Sequence, residues 1–321
     1  MALRISMAAP PQFSIPQIAD FIARAEQSGF DGVGIADHLE HGHDAYVTIT
    51  LALAKTSKIT VFPSVTNPVT RHPFHLAGFA NSLAELAPGR FRLVIGTGDS
   101  AVLHIDRKPA SADEFRDAVT KIRRLVRGET VAFGNRKEER ILTLAKQPAP
   151  VIVTASGPKA IAVAGEVADG AMFLIGIDQR IVAKARTYLD EGAKRAGRSL
   201  AGFTVALNTV VSIDDDPVAA REKTRGMLFA WTKQGLYNIA YDAVGVPKPT
   251  TLNEPKDISD DVLERMAKAC FIAGTRRQVI ERFEQLRAEG VDEVYCFSAG
   301  GAEGRERMLD TLAKEVVPHI R

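Results

Sequence analysis

The residues best suited to chemistry form a short cluster, Asp37–Asp44 (DHLEHGHD), directly after an apolar segment. Asp37 and His38 are the first two residues beyond a predicted strand, where a histidine can donate a hydrogen bond or transfer a proton. Imidazoles and carboxylates at this spacing can also bind a metal ion. The ends of the other predicted strands add few further ligands. We therefore expect structural or solvated roles for His41 and His43, and no metal site.

A second candidate is the segment Ile95–Ser100 (IGTGDS), which also follows an apolar run. It covers half of a dinucleotide-binding fingerprint, but the third glycine and the acidic partner are missing, so it is weak evidence for a Rossmann fold. The segment is either a tight strand exit or a place where two glycines let the backbone approach a flat ring. In the second case Asp99 would offer a carboxylate beside the ring.

A third candidate is Ser156-Gly157-Pro158-Lys159, between an apolar segment and a predicted helix. Free backbone N–H groups at a helix start can bind a phosphate, helped by the serine hydroxyl and by Lys159. Any strand-to-helix turn has such a start, so the pattern alone does not distinguish a phosphate site from an ordinary turn. The aromatic segment around Trp231 indicates core packing or a subunit contact rather than a substrate site.

The elements that must position these residues alternate between short apolar segments and longer amphipathic ones. Such alternation is typical of an α/β fold with a parallel sheet buried on both faces. About eight units in one chain predict a (β/α)8 TIM barrel, with an open doubly wound sheet as the alternative. The predicted strands are Leu3–Met7, Gly32–Ala36, Ile59–Val65, Phe91–Ile95, Pro150–Ala155, Gly170–Leu174, Phe203–Val211 and Asp292–Phe297.

Three helices have clear start signals. Ser111 and Glu114 form a capping box before a helix that Gly128 ends, and Pro158 suits a first helical position. Thr275–Glu289 is a further helix ahead of the last strand. We expect one domain over residues 1–321, with excursions at Glu129–Gln147 and at about residues 214–257.

The composition limits the function classes. The 321 residues include 41 basic and 39 acidic ones, a net charge of +2 that argues against a general nucleic-acid or membrane-surface binder. Cys270 and Cys296 form no disulfide or metal pattern, which suits a reducing compartment. The first residues lack a signal-like apolar run, and no stretch is long enough to cross a bilayer. We expect a cytoplasmic enzyme that binds a small-molecule substrate.

The strand ends taken together resemble the luciferase-like superfamily of flavin- and F420-dependent oxidoreductases, and within it the methylenetetrahydromethanopterin reductases. The resemblance runs along nearly the whole chain. Its residues are Asp37-His38, Val65–Pro73, Ala87–Arg90, Val94–Asp99, Ser156–Pro158, Ala164–Gly170 and Ala273–Thr275. The chain differs from the archaeal reductases at Thr97, where they commonly carry proline, and in the region of residues 214–257.

The resemblance implies a (β/α)8 barrel and FMN or coenzyme F420 as cofactor, and because the family is usually oligomeric we expect a homodimer. It implies a non-proline cis peptide bond at Ser64–Val65 that supports the cofactor ring, with Arg71 and His72 lying further out. His38 and Asp99 would be the catalytic groups. The implied cofactor-binding residues are Asp37, Ser64, Val65, Thr66, Asn67, Gly96, Thr97, Gly98, Ser100, Thr154, Ser156 and Gly157.

The implied reaction is hydride transfer to or from a small organic substrate, or oxygen activation by reduced flavin. Two other function classes stay open at this point. One is a metal-dependent hydrolase on the same barrel, and the other is a non-catalytic flavin-binding relative. Metal analysis separates the first of these from the flavin hypotheses, and turnover of a reduced cofactor separates the second.

Overall fold

Eight parallel strands form a barrel in the computed structural model of the protein, which describes residues 3–299 and 301–320 and, at Leu39, the backbone alone. The strands are β1 Arg4–Ala8, β2 Gly32–Ile35, β3 Thr60–Pro63, β4 Leu93–Ile95, β5 Val151–Ala155, β6 Gly170–Phe173, β7 Thr204–Ile213 and β8 Glu293–Ser298. Around the barrel they follow the order β3-β2-β1-β8-β7-β6-β5-β4, and the seven neighbouring pairs in this order form regular parallel ladders.

The seam between β3 and β4 closes the barrel. Isolated parallel bridges join Val61 to Phe91 and Thr66 to Ile95. The Thr66 amide donates to Val94 at 3.2 Å, and the Thr66 carbonyl accepts from the Gly96 amide at 2.9 Å. Because these bonds join the two edges, the predicted (β/α)8 barrel is confirmed and the open doubly wound sheet is excluded.

Each of the eight predicted strands overlaps a barrel strand, with ends that differ by a few residues. No end differs by more than two residues, and β3 is an example: it ends at Pro63 rather than Val65 because the chain leaves the ladder to form the next loop. Outside the barrel, Val131–Phe133 and Arg136–Glu139 form an antiparallel hairpin, and Ile272–Gly274 pairs with β7.

Helices surround the strands. Pro158 and Thr275 start helices as predicted, and Ser111 and Glu114 form the predicted capping box. The excursion at residues 214–257 contains the three helices Pro217–Glu222, Arg225–Lys233 and Asn238–Val244. The helices are α1 Ile15–Gln27, α2 Ala45–Lys55, α3 Pro73–Leu86, α4 Ser100–Leu103, α5 Ala112–Leu125, α6 Pro158–Val167, α7 Gln179–Arg195, α8 Pro217–Glu222, α9 Arg225–Lys233, α10 Asn238–Val244, α11 Asp260–Cys270, α12 Arg276–Ala288, α13 Gly301–Glu315 and α14 Val317–Ile320.

The apolar core has two layers, because strand side chains alternate between the two faces of the sheet. A large outer layer fills the space between strands and helices. A small inner layer fills the barrel itself and consists of Ala8, Phe62, Val94, Ile152, Met172, Ala206 and Tyr295. The apolar strands seen in the sequence are thus buried on both faces. Among the described residues, no helix combines the length and hydropathy that crossing a bilayer requires.

A charged cluster lies at the amino end of the barrel. Glu293 begins β8 and is almost fully buried. Arg92 donates two hydrogen bonds to its carboxylate, at 2.7 and 2.5 Å, and the Ser6 hydroxyl donates a third at 2.6 Å. The guanidinium of Arg92 also lies over the Phe62 ring, 4.0 Å from its centroid. The ion pair therefore joins β8 to Arg92, the residue just before β4, and the Ser6 hydrogen bond joins β8 to β1.

Candidate active site

A cavity of about 650 Å³ opens at the carboxyl ends of the strands. Its volume falls in the range of small-molecule and cofactor sites. The residues proposed from the sequence come together there, with the exception of Gly157. Those lining the cavity are Asp37, His38, Ser64, Val65, Thr66, Asn67, Gly96, Thr97, Gly98, Asp99, Ser100, Thr154 and Ser156.

The loop after β3 supplies one wall of the cavity. The peptide bond between Ser64 and Val65 is cis, as the resemblance implied. Ser64 Oγ accepts a hydrogen bond of 2.8 Å from the Tyr295 hydroxyl in β8. The Asn67 side chain accepts from the amides of Val69 and Thr70 at 3.0 and 2.8 Å, so it holds the turn that follows. This loop is therefore tied to the barrel at both ends.

His38 follows β2, the strand next to β3, and lies within a group of polar side chains. Its Nε2 and Ser100 Oγ are 3.0 Å apart in a hydrogen bond. Its Nδ1 is buried and, among the described residues, has no hydrogen-bond partner, although Glu40 Oε1 lies 3.7 Å away. His104 Nε2 lies 3.4 Å from the other oxygen of Glu40. The carboxylate of Glu40 is thus shared between two imidazoles.

Glu40 and His41 lie beside His38, an arrangement that the metal alternative for this cluster required, although no metal site was expected there. One ligand atom from each of these three residues falls within 4.8 Å of the others, a spacing that could hold a metal ion. His41 is not simply solvated, because it lines the cavity and its ring centroid lies 5.4 Å from that of His38. Burial and the nearby His38 lower the pKa of His41.

Asp37 is engaged by Arg71, a pairing that the sequence pattern did not indicate. Arg71 lies outside the cavity lining, as expected, and its Nε and Nη2 each donate to the Asp37 carboxylate at 3.2 Å, while Nη2 also donates to Asp44 at 2.8 Å. Its guanidinium lies 4.7 Å from the Tyr46 ring centroid. Burial disfavours the charged form of Arg71, but the two carboxylates raise its pKa above the ordinary value. Arg71 joins the loops after β2 and β3 because it neutralises both acids. His72 is exposed, as expected, and it also caps α3, since its Nδ1 accepts from the Phe74 amide.

The glycines after β4 are required by close packing. A Cβ on Gly96 would lie 2.8 Å from Thr154 Cγ2. Gly98 has a φ of 86°, and a Cβ there would lie 2.6 Å from Val102 Cγ1. The next residue, Asp99, is exposed, and among the described residues its carboxylate has no hydrogen bond or ion pair. A free carboxylate is therefore available at the cavity edge.

The predicted phosphate site lies at the start of α6. Ser156 lines the cavity, Gly157 is the residue before the first helical turn, and Pro158 follows it. Gly157 itself lies outside the lining, and a Cβ placed on it would meet nothing within 4 Å. Lys159 is exposed and is also absent from the cavity wall. The serine and the helix start remain the candidate phosphate contacts, whereas the contribution expected from Lys159 is not supported.

Several cavity residues were not predicted. Trp231 packs against Tyr237, Phe271 and Phe297, as the packing interpretation of its segment expected, but it also lines the cavity. The aromatic composition of that segment was the signal that could have found it. Met227 and Leu236 reach the cavity from the same segment, whereas no motif marked Asn208, Tyr295, Phe297 and Arg305.

The fold and the position of the cavity define a (β/α)8-barrel protein with a ligand site at the carboxyl ends of its strands, where such barrels carry their active sites. The sequence matches the luciferase-like monooxygenase family over residues 3–293, and the chain belongs to this family.

Two groups of relatives are similar along almost their full length. The chain is 29% identical to 5,10-methylenetetrahydromethanopterin reductase of Methanopyrus kandleri, over 95% of each chain. It is 30% identical to an F420-dependent glucose-6-phosphate dehydrogenase of Intrasporangium calvum, over 98% of this chain and 97% of the relative.

Solved structures agree with the fold. The F420-dependent tetrahydromethanopterin reductase from Methanopyrus kandleri matches with a TM-score of 0.78 at 24% identity, covering both chains completely. An F420-dependent secondary alcohol dehydrogenase in complex with an F420-acetone adduct matches with a TM-score of 0.77 at 20% identity, again over both chains. These likenesses extend over the entire chain, including the insertions.

Proposed function

We propose that the chain is an oxidoreductase that uses F420 or FMN to transfer a hydride to or from a small organic substrate. The observation that carries the proposal is the single cavity that gathers the residues after β2, β3, β4 and β5. The full-length relatives named as an F420-dependent dehydrogenase and as a methylenetetrahydromethanopterin reductase support this class of reaction. A flavin-dependent monooxygenation is the variant that the family name suggests.

The residues present fit such a cofactor. The cavity has an apolar side formed by Leu174, Met227, Trp231 and Phe297, which suits a flat ring. Asn208 is almost fully buried, and in the described part of the chain its Oδ1 accepts no hydrogen bond. A polar group of a ligand could donate the hydrogen bond that this oxygen lacks. On another side, Ser156 and the α6 N-terminus offer donors for a phosphate.

The bound cofactor would supply the hydride, and the protein would supply orientation and proton control. We assign His38 to holding a proton at Nε2, from which the Ser100 hydroxyl can pass it to the cavity. The Glu40 carboxylate lies on the Nδ1 side of the ring, 3.7 Å away. Asp99 would accept or donate a proton at the cavity edge. Trp231 and Phe297 would exclude water from the reacting centre.

The test is a titration of the cofactor-free protein with F420 and with FMN, oxidised and reduced, followed by absorbance and by thermal unfolding. A specific cofactor at 100 times its Kd should stabilise the fold by about 2.7 kcal/mol. Reoxidation of the reduced cofactor by added acceptors then distinguishes an enzyme from a non-catalytic binding protein. Failure of both cofactors to bind would contradict the proposal.

A metal-dependent hydrolase is the second candidate, because His38, Glu40 and His41 could together hold an ion. Metal analysis of the purified protein separates the two functions. Stoichiometric zinc together with no cofactor binding would support the hydrolase, whereas a metal-free protein that binds F420 or FMN would support the oxidoreductase.

We further propose one barrel domain over residues 1–321, with the excursion at about 214–257 as part of it, and a homodimer in the cytoplasm. Exposed apolar side chains such as Leu103 and Leu142 offer a surface for a second copy. The two free, buried cysteines suit a reducing compartment. Light scattering on the purified protein tests the dimer.

A further inference from the structure

One positively charged side chain in the cavity has no carboxylate partner among the described residues. Arg305 lies on α13 and is the only lysine or arginine among the described residues that line the cavity. Its Nε is buried without a hydrogen bond, and no carboxylate of the described chain forms an ion pair with it. By contrast, Arg71 contacts Asp37 and Asp44, and Arg307, two residues further along α13, contacts Glu303 at 2.9 Å.

Among the described residues, no carboxylate lies within electrostatic reach of Arg305. The groups within its electrostatic reach are the Tyr295 hydroxyl, which donates its hydrogen to Ser64, and the imidazole of His41. Burial lowers the pKa of Arg305 from its ordinary value. A partly buried guanidinium without a carboxylate is costly to the folded protein. An anionic ligand would remove that cost through charge-assisted, bidentate hydrogen bonds.

The position of Arg305 separates it from the predicted cofactor phosphate site. Its neighbours Tyr295 and His41 belong to β8 and to the loop after β2, so it lies in the sector of the barrel centred on β1. Ser156 and the start of α6 follow β5, which is four strands away around the eight-stranded barrel. The cavity therefore has two separate places for an anion, on opposite sides.

We propose that Arg305 binds a carboxylate or phosphate group of the substrate, so that the substrate class is a small organic anion. The inference rests on the proposed function, because it takes the α6 side of the cavity for the cofactor. Arg305 is then a substrate-binding residue, and its guanidinium sets which end of the substrate points away from the reacting centre.

The experiment measures binding of inorganic phosphate and of acetate to the cofactor-loaded protein by calorimetry, in the wild type and in Arg305→Gln, Arg305→Lys and Arg307→Gln. We expect saturable binding to the wild type and a loss of roughly 10–100-fold in Arg305→Gln, the size typical of a hydrogen bond to a charged group. Arg305→Lys should retain part of the affinity. Arg307→Gln should match the wild type, because Arg307 lies outside the cavity. Equal anion binding by the wild type and Arg305→Gln, or no saturable binding to the wild type, would overturn the proposal.

A second arm distinguishes the source of the anion. FMN and riboflavin differ only in the phosphate, so the ratio of their affinities reports on the phosphate contact. We expect Arg305→Gln to leave that ratio unchanged. If Arg305→Gln binds FMN no more tightly than riboflavin, Arg305 contacts the cofactor phosphate, and the substrate assignment is overturned. If neither F420 nor FMN binds the wild type, the proposed function fails, while phosphate binding to the cofactor-free wild type and Arg305→Gln still tests Arg305 itself.

Discussion

His38 is bound on one side of its ring and approached by an acid on the other. Nε2 is hydrogen-bonded to Ser100, and Glu40 Oε1 lies 3.7 Å from Nδ1. A histidine in this arrangement has a fixed orientation, with one ring nitrogen bonded to a hydroxyl and a carboxylate near the other. These are the properties that a proton-transferring residue needs.

We predict that His38→Ala lowers turnover by roughly 10²–10⁴-fold, the usual contribution of a general acid or base. Cofactor affinity should change far less, because the cavity contacts the cofactor through many other groups. The measurements are kcat at saturating substrate and Kd by titration. His43→Ala is the matched control, since His43 lies in the same loop but does not line the cavity. A His38→Ala protein that loses cofactor binding yet keeps its kcat would reassign His38 to positioning.

At the scale of the elements, the start of α6 is the proposed phosphate contact, and its local geometry allows a clean test. Gly157 has φ −116° and ψ 158°, an extended conformation that a β-branched residue adopts without strain. A Cβ there meets no protein atom within 4 Å. A larger side chain should therefore leave the fold intact and obstruct only the approach to the helix N–H groups.

We predict that Gly157→Val weakens FMN or F420 binding about 10-fold, because interactions of anions with a helix N-terminus are worth roughly 1–2 kcal/mol in partly buried sites. The thermal midpoint of the cofactor-free protein should stay unchanged. Gly78→Ala in α3, where a Cβ also meets nothing within 4 Å, serves as the control. Unchanged affinity in Gly157→Val would count against a phosphate at this helix.

At the scale of the whole molecule, the two ends of the barrel have different tasks. The carboxyl end carries the polar cavity, and the amino end carries the buried pair of Glu293 and Arg92. Burial alone would raise the pKa of Glu293, but the charge and hydrogen bonds of Arg92, with help from Arg4 and Ser6, hold it below the ordinary value. The pair joins distant parts of the chain, so it contributes to stability rather than to chemistry.

We predict that Glu293→Gln lowers the free energy of unfolding at pH 7 by about 3–5 kcal/mol, because it leaves a buried arginine unpaired. The folded-state pKa of Glu293 is lowered, so its contribution is fully present above the ordinary carboxyl pKa of about 4.3 and is lost as the pH falls through the lower folded value.

Urea unfolding at neutral and acidic pH measures both effects. The difference between wild type and Glu293→Gln should shrink on acidification. Glu281→Gln, at an exposed pair with Arg277, should change stability by less than about 1 kcal/mol. A difference between wild type and Glu293→Gln that is constant over the whole pH range would contradict this role for the carboxylate.

The sequence by itself determined the elements and the polar segments at their ends. Strand patterns are local, since apolar and β-branched residues in short runs predict a buried strand wherever the partners lie. The same is true of helix starts such as Ser111 and Pro158. Because all eight strands are parallel, their exits must meet at one end of the barrel. That is why residues as far apart as His38 and Ser156 could be assigned to one site before any contact was known.

Only the tertiary structure decided which side chains at that end face one another. Arg71 turned to Asp37, Trp231 reached the cavity from the excursion, and Arg305 entered from α13 without an acidic partner. Nothing in the local pattern around these residues encodes such pairings. Each depends on the closure of β3 against β4 and on the direction in which a long side chain leaves its helix or loop. Those directions follow from packing between elements that are distant in the chain, so they are properties of the closed barrel as a whole.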